Sequence, residues 1–231
     1  MKRFDLIYAM GCSFVQGCEL NGLLLGHLPE PVVKNRFTDV LSEKMKIPFV
    51  NEAVGGAGND KIIRKTFDFV DGSKGRSLLV ILGLTEITRN ELWSPKENKY
   101  LKLNFPHGRA MFKSKGLTKM EEYAFYNAYR TYMKKFYTES KWIEKLGRDL
   151  QMLESFIKQK NKNSELILFS SLCNGVNHFE KKLNFLRFNK LGETWSRYDK
   201  RHKRKKEGGH PNEESHIILA DKLLDFIKNN L

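Results

Sequence analysis

The run Ser77-Leu78-Leu79-Val80-Ile81-Leu82 narrows the possible folds of this chain more than any other stretch. Apolar after its first residue and halted by Gly83, it offers no face to water, the pattern of a parallel strand covered on both sides. Shorter apolar runs at 4–9, 47–51 and 165–170 read as its companions. Between them, apolar residues recur at helical spacing over 37–45, 59–70, 119–137, 140–160 and 212–228. Strands alternating with helices in this way predict a doubly wound three-layer α/β/α sandwich around a mostly parallel sheet.

The chain has 231 residues and no Pro/Gly/Ser-rich linker or break in composition, which predicts one domain over 1–231. Within it, 93–137 is expected to form an insertion rich in aromatic and basic residues, irregular over 93–117. The stretch after the 165–170 strand is expected to be irregular through about residue 207. It includes a basic loop at 197–207 that carries Lys200-Arg201-His202-Lys203-Arg204-Lys205-Lys206. No apolar run reaches the roughly 18 residues of a membrane-spanning helix, and the start lacks the apolar core of a classical signal peptide, so the expectation is a soluble protein. Cys12, Cys18 and Cys173 show neither zinc spacing nor a CxxC pair and are expected to be free thiols, with no metal site. The formal charge of +14 would attract a polyanion, through the basic loop above all.

In open α/β sheets, ligands bind beyond the carboxyl ends of the strands. Four unusual segments fall at such ends or before the last helix: Gly11-Cys12-Ser13-Phe14-Val15-Gln16-Gly17, Asn51-Glu52-Ala53-Val54-Gly55-Gly56-Ala57-Gly58-Asn59, Gly83-Leu84-Thr85-Glu86 and Glu207-Gly208-Gly209-His210-Pro211-Asn212. Any one of them is common in unrelated proteins. Their order and spacing together resemble the four sequence blocks of the SGNH hydrolases, the GDSL esterase/lipase family.

That resemblance implies an SGNH or flavodoxin-like fold and serine ester hydrolysis without a metal or organic cofactor. By the match, Ser13 is the nucleophile, and its backbone N–H is one oxyanion donor. Cys12 stands where the family has aspartate. Gly56 supplies a second N–H, and Thr85 replaces the usual asparagine with a hydroxyl donor. Glu207 occupies the acid position three residues before His210, the expected general base; glutamate there would accept the imidazole Nδ1 proton and leave Nε2 to take the proton of serine. Asp199-Lys200-Arg201-His202 has the same spacing, but His202 lies within a run of positive charge that disfavours its protonation. His216, inside the last helix, reads as a packing or capping residue. A thiol nucleophile at Cys12 is the alternative to Ser13, against the usual role of a buried cysteine as a small hydrophobe.

Two further residues are candidates for substrate binding. Arg89 is placed to bind a substrate carboxylate or phosphate, or simply to pair with Glu86 or Glu91. Trp93 opens an aromatic set running to Tyr137, part of which is helix core; the remainder would line a sugar cleft or form a lid. The leading substrate is therefore an O-acetyl-type ester of a carbohydrate, with other small esters, lipid esters and thioesters behind it. Transfer of the acyl group to a sugar would use the same residues. A fold that has lost activity and binds a polyanion or glycan is the rival reading.

Overall fold

A computed structural model describes residues 3–20, 34–95, 98–104, 118–173, 183–188, 193–206 and 209–231. Its centre is a five-stranded, fully parallel sheet of β1 (Leu6–Met10), β2 (Phe49–Asn51), β3 (Leu78–Leu84), β6 (Glu165–Ser170) and β7 (Phe185–Leu186), in the order β2-β1-β3-β6-β7. All residues of β1, β3 and β6 are buried, because helices cover both faces. The alternation of a strand decides which helix each side chain meets. Ile7, Ala9, Leu79 and Ile81 face α2 (Phe37–Met45) and α7 (Glu213–Asn230), whereas Tyr8, Met10, Val80 and Leu82 face α3 (Asn59–Gly72) and α5 (Glu139–Lys160). The chain is the doubly wound α/β sandwich that its periodicity predicts.

The strand order reverses direction between β1 and β3, and this opens a crevice at their carboxyl ends. Two glycines set the spacing there. A Cβ on Gly11 would lie 2.3 Å from Val15 Cγ2, and one on Gly83 would lie 2.4 Å from the same methyl. Val15, in the short helix α1 (Ser13–Gln16), is therefore wedged against the ends of both strands. Either glycine changed to alanine would overpack the wedge, at a cost of about 1–3 kcal/mol, and would push α1 outward.

Two expectations of irregular chain are corrected. Residues 89–104 form an antiparallel hairpin, β4 (Arg89–Ser94) with β5 (Lys99–Asn104), in which Trp93 pairs with Tyr100. β-propensity and cross-strand aromatic contact outweigh the polar composition that suggested a loop. After β6, the chain adds β7 and helix α6 (Trp195–Arg201), which Thr194 caps by accepting the Arg197 N–H. The predicted helices over 119–137 and 140–160 are found as α4 (Lys119–Phe136) and α5.

Candidate active site

The first strand delivers Ser13. β1 ends at Met10, Gly11 and Cys12 turn the chain, and Ser13 is the first residue of α1, only 7% exposed. The second segment is tied to the first by hydrogen bonds: Val54 N–H donates to Gly11 O (3.1 Å), Gly55 N–H to Gln16 Oε1 (2.7 Å) and Asn51 Nδ2 to Val15 O (2.9 Å). Burial pushes the Cys12 thiol up, so it stays protonated beside Ser13 and lacks the thiolate a nucleophile requires.

A compact turn delivers His210. Lys206 N–H donates to His210 O (2.8 Å), Gly209 N–H to Lys206 O (2.9 Å) and Asn212 N–H to Arg204 O (3.0 Å). The end of the basic run is thus paired with 210–212 rather than forming a free loop, and Lys205 bridges Pro211. Gly209 has φ 87°, a left-handed turn that suits glycine. Asn212 then caps α7 by accepting the Ser215 N–H.

These two elements meet. His210 Nε2 lies 2.9 Å from Ser13 Oγ, although the residues are 197 positions apart in sequence. On the other side of the ring, Nδ1 lies 2.9 Å from Glu19 Oε2, and the His210 backbone N–H donates to the same oxygen at 3.2 Å. A carboxylate only accepts, so Nδ1 carries the ring proton and Nε2 is left to accept from the serine hydroxyl. The Phe14 ring packs beside the imidazole, with centroids 5.4 Å apart.

The carboxylate at Nδ1 is therefore Glu19 and not Glu207, the acid expected from spacing; Glu207 itself lies outside the described residues. Glu19 follows α1, is 8% exposed and has φ 68°. A left-handed glutamate costs about 1–2 kcal/mol. Two bonds to a buried carboxylate, each worth about 1.5–3 kcal/mol, outweigh that cost. No spacing rule reaches Glu19, since its partner is 191 residues away. The available signal was a carboxylate six residues after Ser13, the acidic residue of the stretch 13–20.

The remaining histidine and acid candidates separate cleanly. Asp199 is fully buried and accepts from Ser215 Oγ, which in turn accepts the Trp195 indole N–H at 2.7 Å. Burial pushes its carboxyl up to about 6, whereas His202 is exposed and its Nδ1 faces Tyr198 O. His216 is a core residue: Nδ1 accepts the Phe37 N–H (3.1 Å), its ring stacks on Phe37, and burial drives its pKa down to about 3.

Gly56 has φ 72° within the turn closed by Ala57 N–H to Val54 O (3.0 Å), a conformation that favours glycine. Thr85 ends up fully buried just past β3, and its hydroxyl has no hydrogen-bond partner by geometry among the described residues. Its backbone is clamped by Asn59, which accepts from Thr85 N–H and donates to Thr85 O, both at 3.0 Å. The helix that begins at Asn59 has Gly58 at its N-cap. Arg89 pairs with Glu86 at 3.0 Å and also lines a cavity of about 730 Å³. Trp93 is not among the residues lining that cavity; it is 45% exposed on the hairpin and packs edge-on against Tyr100.

Among the described residues, no cluster of histidine, cysteine, aspartate or glutamate is arranged to hold a metal ion, and no helix is long and apolar enough to cross a membrane. No protein-family model and no curated protein matches the chain in sequence. Solved structures do match in fold. A candidate GDSL-like lipase from Parabacteroides merdae is 11% identical, with a TM-score of 0.50 over 98% of this chain and 96% of that one. An acetyl xylan esterase from the rumen bacterium Butyrivibrio proteoclasticus is 11% identical, with a TM-score of 0.50 over 97% of this chain and 63% of the esterase. The four-block resemblance and the fold thus point the same way.

Proposed function

We propose that this chain is a serine ester hydrolase of the SGNH type, with Ser13 as nucleophile, His210 as base and Glu19 as the residue that orients His210. The observation that carries the reading is the continuous relay from Ser13 Oγ to His210 Nε2 and from His210 Nδ1 to Glu19 Oε2, each link 2.9 Å. In the first half-reaction Ser13 Oγ bonds to the acyl carbon while its proton passes to Nε2. The tetrahedral intermediate collapses, the ester C–O bond breaks, and the same proton goes to the departing alkoxide. Water then attacks the acyl-enzyme, again deprotonated by His210, and releases the acid and free Ser13.

Charge developing on the carbonyl oxygen needs donors already in place. The Ser13 N–H is free of intrahelical bonding by its position at the start of α1. The Gly56 N–H sits on a turn anchored to α1, and the Thr85 hydroxyl supplies a third donor. An O-acyl ester of a carbohydrate is the substrate favoured by the aromatic side chains of 93–137. Hydrolysis of a small aryl acetate by the native chain and by Ser13→Ala tests the reading: we expect native turnover and its loss in the variant, and equal rates would sink it.

A further inference from the structure

We infer that the cavity of about 730 Å³ between the start of the hairpin, α4 and α5 is a binding subsite for a neutral pyranose unit of a glycan. The inference adds to the ester hydrolysis proposed above a separate recognition site, whose occupancy does not require Ser13 to react.

The cavity has two unlike walls. On one side, Phe125, Tyr129 and Tyr132 project from α4 at spacings of four and three, which places them on one helix face, and Trp142 joins them from α5. Tyr129 is held by its hydroxyl, which donates to Thr88 O at 3.4 Å, while Tyr132 stays 45% exposed. The opposite wall is polar, with Asn59, Asn90 and a set of charged groups.

Apart from Arg148, those charges are already engaged in ion pairs. Glu86 holds Arg89 (3.0 Å), Glu144 holds Lys141 (3.0 Å), Arg64 holds Glu91 (2.8 Å), and Lys145 bonds both Asp149 (2.6 Å) and Asp60 (3.3 Å). Arg148 adds its charge beside Glu144. In a chain of net charge +14, this region is locally balanced.

That balance decides between ligand classes. A polyanion would need cations not already satisfied by carboxylates, and it would bring its own charge against Asp60 and Asp149. An alkyl chain would strip water from ion pairs without returning hydrogen bonds, which disfavours it. A pyranose meets both walls: its C–H face lies on an aromatic ring, and its hydroxyls donate to carboxylates and accept from lysine and amide groups. The volume is in the range of small-molecule sites.

The subsite adjoins the reacting centre through two of its own lining residues. Asn59 clamps the Thr85 backbone in both directions, and the charge of the Arg89 guanidinium reaches Cys12, where it offsets a part of the rise that burial imposes on the thiol. A sugar seated in the cavity would thus touch the residue that clamps Thr85.

The test uses the full chain and its Ser13→Ala and Tyr132→Ala variants on an array of neutral hexasaccharides (cello-, manno- and xylo-series) and acidic ones (oligogalacturonate, heparin-derived), followed by titration with Trp fluorescence. We expect neutral glycans to bind the native chain and Ser13→Ala equally, and Tyr132→Ala to bind about tenfold more weakly, the size of one aromatic stacking contact, with its circular dichroism that of the native chain. Binding of acidic glycans alone, binding of none, or undiminished neutral binding by Tyr132→Ala would overturn the inference. A Ser13→Ala variant that still hydrolyses aryl acetate would instead overturn the catalytic reading and leave the subsite standing.

Discussion

His210 and His216 are buried at the entrance and in the first turns of the same helix, yet their surroundings give them opposite chemistry. At His210, Nδ1 donates to Glu19 and Nε2 faces the hydroxyl of Ser13. At His216, Nδ1 accepts from the Phe37 backbone, and Nε2 has no hydrogen-bond partner among the described residues. The first ring is fixed in the tautomer that can take a proton; the second is held neutral by a core that cannot stabilise its cation. Burial alone therefore says nothing about whether a histidine is a base. What decides it is which nitrogen meets a carboxylate.

The largest test of this contrast is paired substitution. His210→Ala should lower ester hydrolysis by about 10⁴-fold or more. His216→Phe should leave turnover near native while lowering stability by about 1–3 kcal/mol, because the Phe37 N–H loses its acceptor. Steady-state kinetics with denaturant unfolding reads both, and comparable loss of turnover in the two variants would break the distinction. Next comes the identity of the orienting acid. Glu19→Gln should cost about 10³- to 10⁴-fold in kcat, the effect of losing the correct tautomer, while Glu207→Gln should match the native rate; the reverse result would return the role to Glu207.

A smaller effect separates two buried polar atoms that both lack hydrogen-bond partners among the described residues, His216 Nε2 and Thr85 Oγ1. If the Thr85 hydroxyl meets the oxyanion, Thr85→Val should lose about 100-fold in kcat with KM little changed. An unaltered rate would place Thr85 with His216, as a packing residue.

The smallest effect is on stability against pH. Between about pH 6.5 and 3, the unfolded chain takes up a proton that native His216 refuses, so this residue makes stability fall as the solution is acidified. Asp199, whose carboxyl is raised to about 6, acts in the opposite direction: below that pH the native state holds a proton that the unfolded chain binds only near its ordinary 3.8. Each slope is at most about 1.4 kcal/mol per pH unit. Asp199→Asn should therefore steepen the loss of stability on acidification and His216→Phe should flatten it, as read by urea unfolding across this range. Parallel curves for both variants and the native chain would show that neither group is as buried as described.

The fold was legible because burial on both faces leaves an unbroken apolar run, as in β3, and because helical spacing in α4, α5 and α7 is a local property of the chain. The hairpin at 89–104 was not, since its strands are short and polar and only the pairing of Trp93 with Tyr100 reveals them. In the site, Ser13, Gly56 and His210 stand at turns that announce themselves through glycine and strand ends. Glu19 announces nothing: its role arises from a contact across almost the whole chain, set by a left-handed backbone that favours no glutamate in isolation. Trp142 was likewise hidden, because a helical tryptophan reads as core until the cavity beside it is seen.

The separation of 197 positions between Ser13 and His210 has a consequence for the life of the molecule. On the reading proposed above, Ser13 stays an ordinary alcohol until an imidazole reaches it. The imidazole arrives only when α7 docks against α2 and the sheet, so acyl chemistry would depend on that docking. A chain cut short before residue 210 would then present the turn that bears Ser13 but perform no turnover, and the appearance of activity would report the docking of α7.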